Sequence, residues 1–196
     1  MANTSATGGY LTPTAPVPPE DDALDNLLQE LVAGVTGLPG NLVRPRWQPT
    51  VPKQPEPSVN WCALGITVQT PDAGPAIRHD PAGDGSDTYI RHQDILLLCT
   101  FYGPAAKGYA QRLADGLAIP QNGEQLGLND MAFVSAGDIR AAPDFVNQQW
   151  VRRYDLTVQL RRKITRTYPV LNLLSAQAST ETDSVPPMAS TTNIDQ

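Results

Sequence analysis

The sequence predicts an α+β fold: a mixed, mainly antiparallel sheet of about four or five strands, flanked by two or three helices. Three observations carry that expectation. An apolar stripe at helical spacing runs through 20–36, apolar and polar residues alternate through 61–68 and 150–166, and five apolar residues run from Ile95 to Cys99. The 196 residues, 40% of them hydrophobic, suit one folded body. No internal repeat divides them.

Taken in order, residues 1–19 hold four prolines and no charged side chain. Such a stretch buries too little apolar area to offset its ordering entropy, so it reads as a flexible N-terminal arm. Leu24, Leu27, Leu28, Leu31, Val32 and Val35 then fall on one helical face. Glu20, Asp21 and Asp22 suit the positive end of that helix, and Gly37 and Pro39 end it. Six prolines between 39 and 57 withhold the N–H groups a sheet ladder needs, so this segment reads as an extended connector, pinned to the body by Trp47.

The strand at 61–68 places Cys62, Leu64, Ile66 and Val68 on one face. Residues 71–86, rich in Pro, Gly and Asp, read as a long loop without regular structure. A strand resumes over 87–102. Its part from Thr88 to Asp94 reads as exposed, and its run Ile95–Cys99 as a central strand covered on both faces. Pro104 suits the first position of a helix over 104–118 with Tyr109, Leu113 and Leu117 as its stripe. A short helix near 122–129, a strand from Met131 to Ser135 and a helical turn from Pro143 to Gln149 follow. The last strand, 150–166, turns Tyr154, Leu156, Val158 and Leu160 one way and Arg153, Asp155, Thr157, Gln159 and Arg161 the other. Residues 169–196, with Pro186–Pro187 and many Ser and Thr, read as a flexible C-terminal tail. The expected organisation is therefore an arm (1–19), a single domain (20–168) and a tail (169–196).

Charge is unevenly spread. The net charge is −6; residues 1–36 contain five acids and no base, and residues 37–166 hold all 14 Lys and Arg against 12 acids. So acidic a chain is a poor free binder of nucleic acid, which needs clustered cations. No apolar window is long enough for a membrane-spanning helix, and no basic segment precedes an apolar stretch at the N-terminus, so neither a membrane span nor a signal peptide is expected. Two cysteines, Cys62 and Cys99, are too few for a disulfide scaffold or a thiolate zinc site, and their apolar flanks read as buried, inert thiols.

Catalytic constellations are sparse. His79 adjoins Asp80, and His92 shares a strand face with Asp94, which leaves a small metal-dependent hydrolase or nuclease as an alternative. Asp72, Asp80, Asp84 and Asp87 lack the spacing of a calcium loop, and no phosphate-binding glycine motif occurs. The expectation is no catalytic residue, no metal and no cofactor. The remaining signal is a basic cluster: Arg152, Arg153, Arg161, Arg162, Lys163 and Arg166. It reads as a solvated, edge-protecting face, as a contact for nucleic-acid backbone, or as a docking strip for an acidic neighbour. In the docking reading, the partner surface is Glu20, Asp21, Asp22 and Asp25 of another copy.

Five segments in order resemble the neck or tail-terminator family of tailed bacteriophages: TGLPGNLVRPRWQ (36–48), WCALGI (61–66), DILLLCTFYGPAA (94–106), YAQRLADGLAIPQN (109–122) and APDFVNQQWVRRYDLTVQLRR (142–162). The resemblance spans about 20–168. It implies a structural virion protein, assembled in the host cytoplasm, that forms a homohexameric ring at the head–tail junction. Such a ring caps the tail tube, meets the connector or adaptor, and lets genome DNA pass through its lumen without specific binding. It also implies packing roles for Trp47 and Trp61, an anchoring role for Trp150, and arginines 152, 153, 161 and 162 facing a neighbour or the lumen. A head-completion or connector-adaptor protein of the same neck, in twelve copies, is the alternative within structural roles.

Overall fold

The computed structural model describes residues 3–14, 16–50, 52–146, 148–173, 175–181 and 189–195. Helix α1 spans Asp21–Thr36 and buries Leu24, Leu28, Leu31 and Val32, the face that the periodicity selects. Gly37 closes it at φ +74°, a left-handed cap that glycine adopts without Cβ strain, with its N–H donating to the Ala33 carbonyl at 2.8 Å. A 3-10 turn (Gly40–Leu42) leads into β1, Val43–Pro45. Strand β2 (Trp61–Pro71), β3 (Ala76–Asp80) and β4 (Ser86–Tyr102) follow. Helix α2 covers Ala106–Leu117 and α3 is one turn, Glu124–Gly127. Next come β5 (Met131–Ala136), β6 (Arg140–Ala141), β7 (Asp144–Val146), β8 (Gln149–Val151) and β9 (Arg153–Tyr168). Strands β10 (Ser175–Glu181) and β11 (Ala189–Asp195) end the chain.

The main sheet runs β1-β2-β4-β9-β5, with β3 also pairing β4 and β6 also pairing β9, seven strands among the described residues. It is mixed: β1 is parallel to β2, whereas β2 is antiparallel to β4, and β5 and β6 to β9. The predicted α+β class holds, with more strands than expected. One sheet face carries Cys62, Leu64, Ile95, Leu97, Cys99, Phe101, Leu156, Val158 and Leu160 into a core shared with the buried faces of α1, α2 and α3. Period-2 and period-3.6 stripes thus meet in one layer of side chains.

Three sequence expectations are corrected. Central strand β4 is closed on one face only, because the helices pack on one side; Leu96 and Leu98 are half-buried between buried Ile95, Leu97 and Cys99. The stretch 71–86 is not without structure, since β3 pairs with β4. Residues 143–149 are not a helical turn: β7 and β8 form a hairpin, with Gln148 at φ +61° in its bend. In the tail, β10 pairs with β11 from Ser175–Asp195 to Glu181–Ala189, and Pro186–Pro187 lie outside the described residues.

The chain divides into two compact units. The larger, Val17–Ala76 with Ile90–Thr165, contains the three helices and the core. The smaller comprises Met1–Pro16, Ile77–Tyr89 and Arg166–Gln196. Within it, Thr14 N–H donates to the Thr167 carbonyl at 2.8 Å, and Tyr89 meets Tyr168 edge-on at 6.2 Å. So part of the predicted arm is hydrogen-bonded to the end of β9; Met1, Ala2 and Ala15 lie outside the described residues.

Candidate functional site

The basic cluster is largely neutralised inside the chain. Strand β9 alternates, so Arg153, Arg161 and Lys163 leave the core face while Arg162, in phase with Leu160 and Ile164, enters it. Arg161 stands between two carboxylates, with Nη1 donating to Asp94 at 2.9 Å and Nη2 to Asp72 at 2.7 Å. These bonds, Asp94 first, hold its guanidinium even more firmly protonated than usual. Arg153 forks onto Asp155 at 2.9 and 3.1 Å, reaches Asp144 at 3.4 Å, and lies over the Tyr102 ring. Lys163 pairs with Asp130 at 2.6 Å.

Arg162 does not face outward. Its relative exposure is 1%, and it donates to both Glu20 carboxylate oxygens at 2.9 and 3.0 Å and to the Pro19 carbonyl at 2.7 Å. Gln93, with its amide oxygen turned to the guanidinium, accepts from Nη2 at 2.7 Å and from Nε at 2.9 Å. Glu20 is therefore the inner anchor of α1. Of the six basic residues, Arg152 and Arg166 alone have no carboxylate partner among the described residues; Arg152 donates to the Pro104 carbonyl at 2.9 Å.

The acidic end of α1 is different. Asp21 and Asp22 are exposed and have no ion pair among the described residues. Asp25 is half-buried, and burial followed by the charges of Asp22 and Asp21 pushes its carboxyl above the usual range. Asp22 and Asp25 line a cavity of about 450 Å³ with Arg46 and Trp47. Trp47 lies over Gly65, where a Cβ would come within 2.7 Å of its ring, but 72% of the residue remains exposed. Trp61 stacks on Tyr102 at 4.4 Å.

The other candidate chemistry is dispersed. His79 bonds Asp87 rather than Asp80, while the Asp80 carboxylate accepts from the Ala82 N–H at 3.0 Å. His92 shares the outward face of β4 with Asp94, but the Asp94 carboxylate is engaged by Arg161 at 2.9 Å. Among the described residues, no group of three or more His, Cys, Asp or Glu converges on a metal position. Cys62 and Cys99 are fully buried, and burial pushes the Cys62 thiol well above its ordinary value.

One feature escaped the sequence reading. Phe145 and Trp150 oppose each other across β7 and β8, with rings 5.0 Å apart, and are 61% and 70% exposed. Trp150 does not anchor the last strand within the chain. Its sequence signal is weak, because Asn147–Gln148 is not one of the glycine-containing pairs that mark a tight hairpin and the flanking strands are three residues long. No helix among the described residues is long and apolar enough to cross a membrane.

A family model described as phage neck terminator protein matches residues 22–184 of the 196. It covers α1, the sheet, the aromatic hairpin and every element between them. No curated protein matches the chain.

Proposed function

The chain belongs to the phage neck terminator protein family, and from that premise we propose that it closes into a ring that caps the tail tube and joins it to the connector. A structural role at the head–tail junction follows from the family itself. The finer reading adds six copies, DNA passing through the lumen without specific binding, and assembly in the host cytoplasm. The family match over most of the chain is the observation that carries it. Support comes from a surface whose unpaired acids, Asp21 and Asp22, are separate from the unpaired Arg152, since a head-to-tail contact needs two unlike patches.

For the interface, Asp21, Asp22, Asp25, Arg152 and Arg166 are proposed as the outward charges. Glu20, Arg153, Arg161, Arg162 and Lys163 act first within the chain, where their partners already lie. Immunogold labelling of a tagged chain in purified virions tests the location, with gold at the head–tail junction expected and gold confined elsewhere refuting it. Mass measurement on the isolated neck then separates six copies from the twelve of a connector-adaptor ring.

A further inference from the structure

A ring made of one chain needs a knob and a socket on the same subunit. The larger unit carries an unfilled example of each. The knob is the β7–β8 hairpin. Phe145 and Trp150 are a directly opposed cross-strand pair, so both rings share one face. The hairpin forms its own two-stranded sheet, paired with no other strand among the described residues. Ribbons this short are marginal in water unless their apolar face is covered.

The socket lies between α1 and α3. It is a cavity of about 330 Å³ with a mixed lining: Leu27, Leu31, Gly34, Val35 and Leu126 supply its apolar part, and Glu30 with the amide side chains at 121, 122 and 125 its polar part. Gly34 sits inside α1, where glycine weakens a helix relative to alanine. A Cβ built there would meet nothing within 4 Å, so the chain's own packing does not require the glycine. It keeps the wall of the socket open to an incoming ring. Charge matches as well. Arg152, next but one to Trp150 in sequence, has no carboxylate partner among the described residues, and exposed Glu30 has no cation.

We propose that the Phe145–Trp150 hairpin of one copy docks into the α1–α3 groove of the next copy, with Arg152 set against Glu30. This inference rests on the ring reading and names its contact. Knob and socket are different surfaces, so the contact is head-to-tail and repeats around a closed ring. Two aromatic rings at the centre of an interface fit the usual pattern of binding hot spots.

The test uses tagged full-length chain in assembled phage, with Trp150→p-benzoylphenylalanine to keep an aromatic ring at the knob. After irradiation, mass spectrometry of mixed isotope-labelled particles should map the cross-link to residues 27–35 or to Leu126 of a different copy. Gly34→Trp in the same particles fills the socket and should abolish that cross-link. Cross-linking to another neck protein, to a different part of the chain, or to nothing while the tag is at the junction overturns the proposal. A tag absent from the junction refutes the ring reading instead. Should the variants not assemble, the soluble chain decides. Trp150→Ala should weaken concentration-dependent self-association by about thirtyfold at an unchanged circular dichroism spectrum. Self-association equal to that of the parent chain, or a parent chain that stays monomeric, overturns the proposal.

Discussion

The ion pair between Glu20 and Arg162 gives the sharpest energetic prediction, because its two ends sit in different environments. The guanidinium is 1% exposed, while the Glu20 side chain is 40% exposed. Removing the carboxylate strands a buried cation. Removing the cation returns a carboxylate to water that already reaches it. Breaking a fully buried pair from one side costs about 3–5 kcal/mol. Arg162 keeps the Pro19 carbonyl and Gln93, and water can reach the vacated side, so Glu20→Ala is expected to cost about 2–3 kcal/mol. Glu20 is the N-cap of α1 but makes no side-chain capping bond, so no cap is lost. Arg162→Met strands no buried charge, because Glu20 is 40% exposed and returns to water, but it leaves the Pro19 carbonyl and Gln93 without their donor, so it is expected to cost about 1–2 kcal/mol, less than Glu20→Ala. The assay is urea denaturation followed by tryptophan fluorescence, with thermal melts read by circular dichroism. At about 2–4 °C per kcal/mol for a domain of this size, Glu20→Ala should melt roughly 4–12 °C lower. If Arg162→Met proves as destabilising as Glu20→Ala, the asymmetry argued from burial is wrong.

Three further outcomes are expected. When protonated, His79 donates from both ring nitrogens, at 2.7 Å to Asp87 and 2.9 Å to Asn172, whose own amide N–H groups are taken by the Pro81 and Gly83 carbonyls. The Asp87 bond first, then Asn172, raises its pKa; this contact should hold below about pH 6.5 and be lost as pH rises through the raised value, read by NMR titration of the His79 ring, and a pKa at or below the peptide value contradicts it. Gly103→Ala should destabilise by about 2–3 kcal/mol, because its φ is +103° and a Cβ would meet the Val59 carbonyl at 2.5 Å; Gly65→Ala should cost less than about 1 kcal/mol, because exposed Trp47 can swing away, and thermal melts that reverse this order refute the reasoning. Cys62 and Cys99 should resist alkylation in the native protein and react fully in denaturant, so rapid native labelling in a thiol assay would contradict their burial.

Local periodicity was enough for the main elements. The stripe from Leu24 to Val35 and the alternation from Tyr154 to Leu160 each identify an element and its buried face, because side-chain direction follows from backbone repeat alone. The family resemblance was likewise legible, since ordered local segments carry it. The aromatic hairpin was missed because its strands are three residues long, too short for a period to show.

What the tertiary structure decided is which charges remain for a partner. The alternation of β9 already puts Arg162 in phase with Leu160, yet nothing local shows that Glu20, 142 positions away, waits to receive it. Arg161 meets Asp72 and Asp94 across 89 and 67 positions. An ion pair is a matter of a few ångströms in space, and only the folded sheet and helices bring such distant residues that close. A basic strip in sequence thus became a set of internal locks, while exposed aromatic rings and an open groove emerged as the surfaces still free to bind.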